Sequence, residues 1–73
     1  MIRFKLRELM AEKQFREGRL LTINEVASDA DVSRITLSRL LNQKGYGTGT
    51  ETLDRLCRYF GCRIEDLAEY VPE

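Results

Sequence analysis

Apolar residues recur along the chain at intervals of three and four, the spacing of one helix face, and no alternation of period two persists long enough to require a strand. Ile2, Leu6, Leu9 and Met10 share such a face, and neither glycine nor proline interrupts the chain before Gly18. The spacing predicts a first amphipathic helix over 3–16 with a charged outer side. Thr22 stands three residues before Glu25, the capping-box arrangement that satisfies free backbone donors at a helix start. A short second helix over 23–29 follows, with Val26, Ala27 and Ala30 turned inward. After Asp31 and Val32, Ser33 offers a second N-cap. A third helix then runs from 34 to 41 or 42 on a buried stripe of Leu37, Leu40 and Leu41.

The stretch GYGTGT over 45–50 has glycine at alternate positions and no apolar anchor but Tyr46, so it reads as a mobile loop. Thr48 and Glu51 repeat the capping-box spacing. Leu53, Leu56, Cys57 and Phe60 mark a fourth helix closed by Gly61, and Ile64, Leu67, Ala68 and Val71 a fifth stopped by Pro72. The expectation is an all-α fold, a compact bundle of five short helices forming a single domain over 1–73.

Two of these helices, joined by about three residues, have the proportions of a helix-turn-helix, in which one helix braces while the next protrudes into a major groove. Ala27 is small enough to let the pair pack closely, and Val26, Val32, Leu37 and Leu40 would lock it to the core. Projecting 33–42 at about 100° per residue sets Ile35, Ser38, Arg39 and Asn42 opposite the leucine stripe, with Arg34 and Thr36 on its flanks. That face contains no acid. Arg39 can reach guanine O6 and N7 in bidentate fashion, Ser38 and Asn42 can bond phosphate or base edges, and Ile35 offers an apolar contact to a thymine methyl. Ile35 can equally be half-buried against the preceding turn.

Charge refines this picture. Twelve basic and twelve acidic residues leave no net charge, whereas nucleic-acid-binding domains usually carry a basic excess. The distribution is uneven: residues 1–44 hold nine basic against six acidic residues, and 45–73 three against six. One face for phosphate and another for solvent or a protein partner is the arrangement implied. No apolar run reaches the roughly 18 residues of a membrane span. Arg3, Lys5, Arg7 and Glu8 interrupt any signal-peptide stretch. A cytoplasmic chain without membrane contact is expected.

Catalysis is disfavoured on chemical grounds. The chain has no histidine, the commonest general base at neutral pH. GYGTGT follows no strand and is not followed by Lys-Ser or Lys-Thr, as a phosphate-cradling loop would be. Glu65 and Asp66 belong to a helix start, where negative charge is favourable. Cys57 and Cys62 cannot complete a zinc site within one chain, so neither metal nor cofactor is expected. Cys57 reads as a small core residue and Cys62 as part of a helix connection, with a redox-sensing pair as the alternative.

The segment TINEVASDADVSRITLSRLLNQK, residues 22–44, resembles the helix-turn-helix of the Cro and phage-repressor-like (Xre-type) DNA-binding family. ETLDRLCRYFGCRIEDLAEYVPE, residues 51–73, is similar to the two closing helices of its small members. The resemblance implies a lambda repressor-like DNA-binding domain, with sequence-specific binding of double-stranded DNA by a small transcriptional regulator, most simply a repressor. It places Arg34, Ile35 and Arg39 at base-reading positions and Asn24 at a phosphate-binding position that supports the first base reader. Ser33, Thr36, Ser38 and Asn42 fall at capping or phosphate-contacting positions, and Lys44 at a backbone contact. Asp31 stands where the family usually has glycine, so a positive φ is expected there, at a cost of about 1 kcal/mol. Arg63 stands where the last helix often has a capping Ser, Thr or Asp, leaving that helix start less well satisfied.

A module of this size discriminates poorly alone, so a homodimer reading half-sites about 34 Å apart is expected. Tyr59, Phe60, Tyr70 and Val71 are the candidate interface, unless packing on the first helix absorbs them. The alternative is an antitoxin-like or phage-derived module that grips a protein partner and autoregulates its own operator.

Overall fold

Among the described residues five helices form on apolar faces, two of them started by a capping side chain, and a short antiparallel strand pair joins segments near the two ends of the chain. The computed structural model describes residues 1–72; Glu73, the last residue of the family resemblance, lies outside them. In chain order the elements are β1 (Ile2–Phe4), α1 (Leu6–Glu17), α2 (Ile23–Ala30), α3 (Arg34–Asn42), α4 (Thr50–Phe60), α5 (Ile64–Leu67) and β2 (Ala68–Tyr70).

The strands correct the sequence reading at both ends. Ile2, expected on the face of a helix over 3–16, pairs with Tyr70, while Arg3 pairs with Glu69 and Phe4 with Ala68. Reciprocal bonds between Met1 and Val71, Met1 N–H to Val71 O at 3.0 Å and Val71 N–H to Met1 O at 2.8 Å, extend the ladder. Lys5 N–H reaches Leu67 O at 2.6 Å, so α1 begins only at Leu6. α5 stops after one turn because Ala68 is already extended, with φ −138° and ψ 148°. Three residues are too few to separate period two from period 3.6, and each strand's partner lies at the other end of the chain.

The core is assembled from every helix. Leu6, Val26, Leu37, Leu56 and Leu67, one from each, are fully buried, and Leu21, Ala30, Val32, Leu40 and Phe60 complete the cluster. Burying a leucine fully is worth roughly 1.5–3 kcal/mol, so these five side chains outweigh any single surface interaction. Leu41, expected in the buried stripe of α3, is only partly buried, as is Ala27.

Caps set the helix boundaries. Thr22 Oγ1 accepts from Glu25 N–H at 3.1 Å and donates to the Glu25 carboxylate at 3.4 Å. Arg19 couples the end of α1 to the start of α2 through Glu17 and Glu25, at 3.1 and 2.6 Å. Both carboxyls are held below their usual pKa by hydrogen bonds, Glu17 chiefly by Lys13 and Glu25 chiefly by Arg19. At α4 the expectation fails: Gly49 is the N-cap and makes no side-chain cap, so Thr48 does not form the expected box with Glu51. At α5 the guanidinium of Arg63 offers no acceptor, but Asp66 reaches back to accept from Arg63 N–H at 3.1 Å and supplies the missing half.

Both cysteines are free and partly buried. Burial and the neighbouring Cys57 push the Cys62 thiol up to about 11. At neutral pH it keeps its proton, the opposite of a reactive thiolate.

Candidate nucleic-acid interface

The site is built by the α2–α3 pair. α2 ends at Asp31, which adopts the expected left-handed conformation, φ 59° and ψ 47°, and bonds its N–H to Ala27 O. Val32 N–H also bonds to Ala27 O at 3.1 Å, and its side chain is buried. The turn is thereby nailed to the core two residues before α3 begins. From α4, Arg55 donates to Asp31 O at 3.2 Å. Ser33 then caps α3, its Oγ accepting from Thr36 N–H at 3.0 Å and donating to Thr36 Oγ1 at 3.0 Å.

With Leu37 and Leu40 buried, the helix period turns Ile35, Arg39 and Asn42 outward, and these three are exposed, as is Arg34 at the first position of the helix. Ile35 is 66% exposed, which removes the half-buried alternative. Thr36 is half-buried on the flank as expected, whereas Ser38, expected on the outward face, is also half-buried. Asn24 on the first turn of α2, Ser33 at the cap and Lys44 just beyond α3 are exposed. The hydroxyl of Ser33 is already engaged in capping. Asn42 Nδ2 lies 3.4 Å from Ser38 Oγ, a long bond that leaves the amide loosely held.

The electrostatics of this face differ from those of α4. Arg3, Lys13, Arg19, Arg55, Arg58 and Arg63 each lie within 4 Å of a carboxylate. No carboxylate of the described residues lies at that distance from Arg34, Arg39 or Lys44. All three arginines of α4 and its connection to α5 are therefore partnered by acids, while those of α3 are not. A duplex approaching α3 meets cations whose charge is not already balanced by a neighbour.

Two neighbours of this face escaped the sequence reading. Arg7, read only as a charge that interrupts a signal-peptide stretch, reaches the end of α3, with Leu41 O at 3.4 Å and Asn42 Oδ1 at 3.5 Å. Tyr46 is half-buried against the core, and the Arg39 guanidinium stands 5.9 Å from its ring centroid. Neither contact has a local sequence signal, because each joins residues of different elements.

No curated protein matches the chain. Residues 5–73 match the Cro/C1-type HTH DNA-binding domain, spanning the helix-turn-helix together with α1, α4 and α5. The chain belongs to this DNA-binding family.

Proposed function

We propose that residues 1–73 act as one sequence-specific DNA-binding domain of a small transcriptional repressor, with α3 in the major groove. The observation that carries this reading is the acid-free outward face of α3, whose arginines lack carboxylate partners among the described residues while those of α4 have them. Arg39 reads guanine, Arg34 and Ile35 read the neighbouring base pairs, and Asn24, Ser33, Thr36, Ser38, Asn42 and Lys44 position the backbone. Repression needs no more than occupancy, since a bound chain excludes other proteins from the same groove. Such a regulator works in the cytoplasm as a homodimer on two half-sites.

The strand pair supports a revised dimer face. Phe60 is buried in the chain's own core, and Tyr59 is taken up by edge contact with Phe60 at 4.8 Å and by Lys13 at 4.9 Å. Ile2 and Tyr70, paired across the sheet, are 46% and 69% exposed and remain available to a second copy.

The alternative, a module that grips a protein partner while autoregulating its own operator, is favoured by Phe15 and Leu20, which are 88% and 82% exposed near the end of α1. They are the two most exposed large apolar side chains among the described residues, and a contiguous apolar patch is what marks a partner surface.

The test begins with selection of bound fragments from a randomised duplex pool. On the selected site Arg39→Ala loses about 1–3 kcal/mol, while Lys44→Ala weakens all duplexes alike and reduces the salt slope by about one. Equal effects of both substitutions on every duplex would sink the assignment.

A further inference from the structure

We infer that Tyr46 is a positioning residue for base reading: its ring holds the Arg39 guanidinium in a reading orientation and so sets specificity at the base pair Arg39 contacts. The inference rests on the proposed reading of α3 as the groove helix.

The geometry begins in the turn after α3. Gln43 N–H still bonds to Arg39 O at 2.8 Å, and Tyr46 N–H bonds back to Gln43 O at 3.3 Å. Between them Gly45 takes φ +72°, and a Cβ there would meet Met1 Sδ at 3.2 Å. This tight return brings the Tyr46 ring back beneath the last turn of α3, where it packs on the core. Arg39 stands over it at 5.9 Å, inside the distance at which a cation is attracted to a ring face.

Arg39 is exposed and has no carboxylate partner among the described residues, so the ring is the group that restrains it. An acid could restrain it equally well, but would cancel its charge and repel phosphate. An aromatic face limits the side chain's rotation while leaving its charge and its fork of donors for guanine. No ring contact is found for Arg34 among the described residues, so the two arginines of α3 divide between a restrained reader and a freer one.

The test repeats the random-pool selection with the wild-type chain, Tyr46→Leu, Tyr46→Phe and Arg39→Ala. Arg39→Ala identifies the base pair that Arg39 reads. Tyr46→Leu is expected to lower preference at that same base pair by about two- to fivefold, with affinity for a non-specific duplex unchanged, and Tyr46→Phe to keep the wild-type preference. A Tyr46→Leu chain with wild-type preference at that base pair, or one weakened equally at all positions, overturns the inference. If Arg39→Ala alters no position, the base-reading assignment itself fails. Independently of any variant, nuclear Overhauser contacts between the Arg39 Cδ protons and the Tyr46 ring are expected in the free wild-type protein, and their absence also overturns the inference.

Discussion

Asp31 holds a left-handed backbone conformation that costs an L-residue about 1 kcal/mol and glycine almost nothing. Its contact with Arg55 is made through the backbone carbonyl, which a substitution leaves in place. Asp31→Gly is therefore expected to raise stability by up to about 1 kcal/mol, less what glycine adds to the freedom of the unfolded chain. In a chain of this size that shift reads as a rise of a few degrees in thermal midpoint; an unchanged or lower midpoint would contradict it. Ile35, Arg39 and Asn42 were legible as outward positions because a helix projection needs only the local period; Ser38, projected outward, is half-buried, and Arg34, projected to the flank, is exposed at the first helical position. Arg7 beside Asn42 and Tyr46 beneath Arg39 were not, because the chain between the partners carries no period that aligns them.

At the scale of elements, α3 depends on its first turn. Ser33 supplies an acceptor to Thr36 N–H and a donor to the Thr36 hydroxyl, at the point where the turn delivers the chain into the helix. Ser33→Ala is expected to cost about 1 kcal/mol of stability, measured as a drop of about 4–8 °C in thermal midpoint, with base preference retained in the folded fraction. A variant as stable as the parent would show the cap to be dispensable. The starts of α2 and α3 were legible because Thr22 and Ser33 cap within three residues. The start of α4 misled because Thr48 has the right spacing while Gly49 takes the cap. β1 and β2 were invisible because strand pairing is a property of two segments, and neither segment alone is long enough to declare its period.

For the whole molecule, zero net charge hides a division of labour in which the cations of α4 are neutralised locally and those of α3 are left to a polyanion. Binding is accordingly expected to weaken as salt rises, in proportion to the phosphates contacted. The Ile2 and Tyr70 face gives the proposed dimer its own test. Sedimentation at micromolar concentration is expected to show dimer for the wild-type chain and a shift toward monomer for Tyr70→Arg. That variant should also lose more affinity for a duplex with two half-sites than for one with a single half-site. A wild-type chain that stays monomeric would remove the dimer without touching the reading of α3.

The pairing of Ile2–Phe4 with Ala68–Tyr70 also has a bearing on the order of folding events. Zipping the ends together closes nearly the longest loop the chain can form, and that entropic toll is met most cheaply once the helices have already collapsed. The hairpin-free sheet is thus a late latch: weakening it, as Ile2→Ala would, should hasten unfolding while leaving the refolding rate almost untouched.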